Sequence, residues 1–283
     1  MAKRNKRRRP VRAALIGAVG VASVLAVFHG SLIHKVGGAS SKEPEAMAAG
    51  LSAEAKKLVD AAFEGIEAGQ LFDYHTHIVG LGTSDSGCFV NPHMRSWAHP
   101  VERLKFLVYV SACGIDDMRS ADEQFQTRLL SLVRSVEGHG RHLVLAFDKN
   151  HGPQGQPNLA KTQFYVPNDH VVKLARSNPD AFVPAISVHP YREDALAELD
   201  RWAAKGVRFI KWLPNSMGID PADGRCVPFY QRMNQHDLML LTHSGEEKAV
   251  GAEEDQKLGN PLRLRLPLSL GLKVVVAHAA SLG

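Results

Sequence analysis

The chain predicts an α/β fold built on a parallel sheet buried on both faces, and three observations predict it. From residue 182 onward, short apolar runs such as FVPAISVH, VRFIKWL, LMLLTH and KVVVAH alternate with segments of helical spacing. The runs are nearly continuous in apolar residues, the pattern of strands covered on both sides, rather than alternating as a half-exposed strand would. The runs also tend to finish in a polar residue, most often His. At 283 residues there is room for one large domain or two small ones.

Taken in order, the chain begins with Lys3, Arg4, Lys6, Arg7, Arg8, Arg9 and Arg12, and residues 1–12 contain no acidic residue. Ala13–Ile33 follows, apolar apart from Ser23, His29 and Ser31. Its 21 residues, at roughly 1.5 Å each, reach about 31 Å as a helix, enough to span a bilayer. Positive charge ahead of the span predicts a single-pass signal anchor with a cytoplasmic N-terminus and the domain on the exterior, periplasmic side. The alternative is export followed by signal cleavage. Arg7-Arg8-Arg9-Pro10-Val11 faintly echoes a twin-arginine signal, and Gly37-Gly38-Ala39-Ser40 offers small residues for a peptidase. The predicted organisation is a basic arm and transmembrane helix at 1–36, a linker at 37–50 and one domain at 51–283.

Within that domain, Ser52–Ala68 reads as a helix with Leu58, Val59, Phe63 and Ile66 as its apolar stripe. Leu71–His77 is the first strand, and Ile78–Pro100, rich in Gly, Ser, Asn and Pro, is a long loop over its end. Pro100–Ile115 reads as a helix in preference to a strand, because Pro is tolerated in a first turn. Ser120–Glu137 is an amphipathic helix with Phe125, Leu129, Leu132 and Val136 on one face. His142–Asp148 is the second strand, and Asn168–Arg176 a helix capped by Asn168. Strands then fall at Phe182–His189, Val207–Leu213, Leu238–His243 and Lys273–His278. Arg192–Lys205, Phe229–His236 and Pro261–Leu270 are the helices between them. That makes six strands.

Composition excludes some functions. Of 34 Lys and Arg residues, the seven in the arm leave 27 against 29 acidic residues, a net of −2 for the body. Such a body offers no basic stripe for phosphate, so nucleic acid is not an expected partner. Three cysteines, Cys88, Cys113 and Cys226, lack metal-binding spacing and make no disulfide scaffold.

The chemistry gathers at the strand ends. His75 and His77 stand two apart in LFDYHTHIVG, so both imidazoles project from one face of a strand and can meet at a metal ion. Five of the six strands carry His or Lys at or near the C-terminal end: His75 and His77, His189, Lys211, His243 and His278. Asp148 ends the other. Polar groups that finish apolar strands cost free energy unless something pairs them, and a divalent cation would do so.

On these residues the chain resembles the amidohydrolase superfamily of TIM-barrel proteins, in its amidohydrolase-2 branch, over about residues 71–283. The resemblance implies a (β/α)8 barrel, with about six strands present here, and metal-ligand roles for His75, His77, His243 and His278. It gives Lys211 three readings: a carboxylated ligand bridging two ions, an amine directed at substrate, or the partner of a carboxylate. The implied cofactor is one or two divalent ions, Zn²⁺ first among them, and the implied partner a small-molecule substrate. The implied activity is hydrolysis of an amide, lactone or ester by metal-activated water. Decarboxylation of the same metal-dependent type is the alternative within the family. Asp148, Asp73 and Glu246 are candidates to orient ligand imidazoles. His139, His170 and His236 are expected on surface helices or turns.

One departure bears on activity. The superfamily carries a further metal-binding, proton-transferring Asp at the end of strand eight, and the sequence ends at Gly283, five residues beyond His278. The expectation is a fragment or truncated gene product, and an inactive membrane-anchored barrel protein is the third functional reading.

Overall fold

The computed structural model describes residues 43–250 and 252–280, together with Ile33 and Lys35. The expected transmembrane helix therefore lies outside the described residues, except for Ile33. Among the described residues, no helix is long and apolar enough to cross a membrane.

Two short helices open the described chain, α1 (Pro44–Ala49) and α2 (Ala53–Phe63). Ser52 caps α2 by accepting the Ala55 N–H. The expected stripe on α2 does not pack: no residue of this helix is buried, and Leu58 is 74% exposed. Periodicity there marks a helix without marking a core contact.

The main sheet has six parallel strands: β1 (Phe72–His77), β3 (Arg141–Leu145), β5 (Phe182–Ile186), β6 (Phe209–Trp212), β7 (Met239–Thr242) and β8 (Lys273–Val276). They lie side by side in chain order, β1-β3-β5-β6-β7-β8. Between them run α3 (Pro100–Ala112), α4 (Ala121–Arg134), α5 (Asn168–Ser177), α6 (Ala195–Ala204), α7 (Pro214–Met217), α8 (Val227–Gln235) and α9 (Arg265–Ser269). The strands are each one to three residues shorter than the apolar runs suggest, in most because the polar ends have already left the ladder; β1 keeps His77 and loses Leu71 instead. Pro100–Ala112 is a helix with Pro at its start, as expected. A pairing missed in the sequence joins β2 (Phe89–Val90) to β4 (Phe164–Tyr165), two-residue strands running antiparallel inside segments that read as loops.

Both faces of the sheet are covered, as continuous apolar strands require. Outward residues such as Val144, Ile186, Ile210, Trp212 and Leu240 meet the helices in two large clusters. Inward residues Leu143, Leu145, Ala185 and Leu241 form a separate cluster with Phe72, Phe209 and Val275. Phe72 of β1 stacks on Phe209 of β6 at 5.9 Å between ring centroids, although two strands separate them. The sheet is therefore curled into a half-barrel with an apolar interior. A bulge between Asp73 and Thr76 inserts a residue into β1, the device that re-aims side chains next to functional sites.

Candidate metal and active site

The half-barrel's curl brings the C-terminal strand ends together. The His75 and His77 rings of β1 are 4.7 Å apart, and His75 is 5.5 Å from the ring of His278. His278 lies 4.6 Å from the ring of His243. β1 and β8 are the two edges of the described sheet, so this meeting exists only because the sheet curls. An open sheet would have held these ends apart.

Lys211 completes the floor. It follows Phe209 by two residues on the inward face of β6, is 1% exposed, and donates from Nζ to His75 Nε2 at 3.2 Å. Burial drives its pKa from the ordinary lysine range down to about 7. Among the described residues no carboxylate hydrogen-bonds it. Burial also lowers His75 to about 4 and His77 to about 3, each lowered further by the Lys211 charge. His243 and His278 are lowered as well, with burial the largest cause. All four imidazoles are thus held neutral, the form that ligates metal.

Hydrogen bonds assign two tautomers. The Gly245 carbonyl can only accept, so His243 donates from Nε2 at 3.3 Å. Its Nδ1 then accepts from His278 Nε2 at 3.0 Å. Among the described residues, no three His, Cys, Asp or Glu side chains hold their donor atoms around one point. The rings are gathered and of the right chemistry for a borderline divalent ion, but they face one another in pairs.

Above this floor lies a cavity of about 390 Å³. Leu81, Val90, Phe106, Val110, Phe147 and Phe164 are among its walls. Helix α3 and the loop after β1 supply much of the roof. Asp122, unremarked in the sequence, ties that loop down: its carboxylate accepts the Leu81 N–H, the Gly82 N–H at 3.1 Å and the Ser86 hydroxyl. A Cβ at Gly80 would lie 2.6 Å from Asp122 Oδ2 and 2.7 Å from Cys88 Sγ. That glycine is what lets the loop lie so close. The legible signal was an acidic residue in the first turn of a helix, which does not say what else it holds.

The remaining sequence candidates lie elsewhere. Asp148 follows the inward Phe147 and so falls on the other face. There it accepts the His189 N–H at 2.8 Å and pairs with Arg192 at 2.9 Å. His189 is fully buried away from the cavity, donating from Nε2 to the Met217 carbonyl at 3.0 Å and accepting the Tyr191 N–H at 3.2 Å. Asp73 accepts the His75 backbone N–H at 2.7 Å and lies 3.5 Å from His142, so it orients no ring of the pair beside it. Glu246 is exposed and pairs with Lys248 at 3.1 Å. Its neighbour Glu247 is the carboxylate at the cavity, 3.6 Å from His243 Nδ1. His139, His170 and His236 are half-buried outside the cavity, each with a hydrogen-bond partner.

Comparison with known proteins bears on what this site belongs to. No protein of curated function matches the chain. An uncharacterized TIM-barrel protein from Bordetella bronchiseptica is similar in structure, with a TM-score of 0.47 and 18% identity over 73% of this chain and 66% of that one. A second similar structure is 5-carboxyvanillate decarboxylase from Sphingomonas paucimobilis, with a TM-score of 0.44 and 14% identity over 74% of this chain and 67% of that one. The chain thus spans about two thirds of the length of each. The profile of the amidohydrolase family matches residues 72–282, which include all five residues of the cavity floor, and the chain belongs to that family.

Proposed function

We propose that the chain carries the metal site of a hydrolase acting on an amide, lactone or ester. The observation that supports this most is the cavity floor: four neutral imidazoles and one buried lysine, gathered from four strand ends beneath an apolar roof. His75, His77, His243 and His278 would hold one or two ions of the Zn²⁺ class. Such an ion supplies a water acidified to a pKa of about 7 and a Lewis acid for the carbonyl. The residues of the chain do the rest. The apolar walls lower the dielectric beside the floor and strengthen charge interactions there. Lys211, as an ammonium, stabilises the negative charge that develops on the carbonyl oxygen. As an amine it can take a proton at Nζ and return it to the departing oxygen or nitrogen, since burial leaves both forms accessible near neutral pH.

Hydrolysis is favoured over decarboxylation because Lys211 is the only Lys or Arg lining the cavity among the described residues, and it sits among the imidazoles. The test is an assay of the Zn²⁺-loaded full-length protein against esters, lactones and amides, with CO₂ release from carboxylated substrates measured in parallel. Hydrolysis of any of the first group is expected. Metal-dependent CO₂ release without hydrolysis would transfer the reading to decarboxylation, and neither activity would leave the inactive-barrel reading standing. We further propose that Ala13–Ile33 anchors the domain to the exterior face of a membrane. The full-length protein should then pellet with membranes and resist high-salt extraction, whereas soluble protein retaining residues 1–33 would refute the anchor.

A further inference from the structure

We propose that the cavity selects uncharged, apolar acyl groups and rejects substrates that carry a second, remote carboxylate; this rests on the hydrolase reading above. Among the described residues, the walls around Phe106, Val110, Phe147 and Phe164 offer a charged group no partner. A carboxylate moved among them would lose its hydration with nothing to replace it. Among the described residues, the single lysine lining the cavity is at its floor, in contact with His75, where the reacting carbonyl belongs.

The other charges that line the cavity among the described residues are acidic, and both are engaged. Asp122 holds the Leu81 and Gly82 N–H groups and the Ser86 hydroxyl. Glu247 accepts the Ala249 and Val250 N–H groups at 2.6 and 3.2 Å. Neither can receive a substrate anion, and each repels one. An alkyl or aryl group gains from the same walls, because it removes apolar surface from water on both sides. At about 390 Å³ the cavity is near the lower end of ligand pockets, which run from about 300 to 1,000 Å³. It therefore suits a small acyl group.

Two measurements test this. The first compares kcat/KM of the Zn²⁺-loaded full-length protein for 4-nitrophenyl butanoate, 4-nitrophenyl hexanoate and mono-4-nitrophenyl adipate. The last has the six-carbon acyl chain of hexanoate ending in a carboxylate. The rate constant should rise about fourfold per added CH₂ and fall at least ~100-fold from hexanoate to adipate. The second needs no turnover: hexanamide and adipic acid monoamide are titrated onto the metal-free protein by ligand-observed NMR. Hexanamide should bind at least ~10-fold more tightly. Tyr109 lines the cavity while 40% exposed, so Tyr109→Arg can add a guanidinium without disturbing the core, and it should bring the two affinities together. Selective hexanamide binding without any ester turnover would leave this inference standing and remove the hydrolase reading. Ester turnover with adipate preferred would do the reverse. Equal or tighter binding of the monoamide, or a preference that Tyr109→Arg leaves unmoved, would overturn the proposal.

Discussion

The His75, His77, His243 and His278 group and the His189–His151 pair stand at the same end of one sheet, and their surroundings differ. His189 is closed on every side: Nε2 donates to Met217, Nδ1 accepts from Tyr191, and its backbone N–H is held by Asp148, which Arg192 neutralises. The ring of His151 lies 4.6 Å away and donates from Nδ1 to the Lys149 carbonyl. The first group opens into the cavity, and its ring nitrogens meet mostly one another and Lys211, with His243 also donating to the Gly245 carbonyl. Both clusters end apolar strands in histidine. What separates them is what the ring nitrogens meet: backbone groups in the closed pair, mostly other imidazoles and Lys211 in the open group. A histidine tied to the backbone holds a loop; rings tied mainly to one another beside a cavity can exchange those bonds for a ligand.

The largest effect should come from exchanging the damage between the clusters. His243→Ala should lower kcat by at least about 10³-fold while lowering the melting temperature less than His189→Ala does. His189→Ala leaves the Tyr191 N–H without its partner and the Met217 carbonyl with only the longer bond from the His151 N–H at 3.4 Å. A stranded buried group costs about 1–3 kcal/mol, so this variant should melt lower while its folded fraction stays active. Melting curves paired with activity per folded molecule check both; equal patterns in the two variants would erase the distinction.

Lys211→Met sharpens the contrast within the open cluster. Turnover should fall about 10²–10³-fold, as when a group stabilising transition-state charge is removed. Stability should rise, because a buried charge without a carboxylate partner is replaced by an apolar chain of similar length. An unchanged ion count with lost turnover would assign the lysine to substrate, and a reduced count to a carboxylated bridge.

The closed cluster also predicts a pH dependence. Burial lowers His189 to about 3, against about 6.5 in an unfolded chain. Between those values the unfolded chain binds a proton that the folded one refuses, so stability falls as the pH falls below about 6.5. Protonation would put a hydrogen on Nδ1 against the Tyr191 N–H. Chemical denaturation of the His189→Gln variant should show this acid slope reduced by up to about 1.4 kcal/mol per pH unit, and an identical slope would place the acid sensitivity elsewhere.

The smallest effect separates two neighbouring carboxylates. Glu247→Gln should lower turnover about tenfold, through lost field at His243, and Glu246→Gln should leave it unchanged. Initial-rate measurements on the two variants distinguish them, and the opposite ranking would reverse the loop's register.

Much of this was legible in the sequence because strand ends are simple. Apolar runs located the six strands, and all five residues assigned to the floor meet at one cavity. Period-two alternation also shows why Asp148 could not join them, since the adjacent Phe147 already took the inward place. What stayed hidden depends on loops. Whether Glu246 or Glu247 faces His243 is a matter of one residue in a turn, and the Asp122 clamp spans about 40 residues of chain. The β2–β4 pairing involves two residues a side, too few for periodicity to show. The α2 stripe misled because amphipathic spacing says nothing about whether a partner surface exists.

The central claim, that the open cluster is a metal site, is tested most directly by measuring bound divalent metal after Zn²⁺ loading and gel filtration. Wild-type protein and the His139→Ala variant should each retain about one to two ions per chain. Combined His75→Ala and His77→Ala substitution should abolish retention while circular dichroism stays unchanged. Stoichiometric metal in the doubly substituted, folded protein would contradict the account.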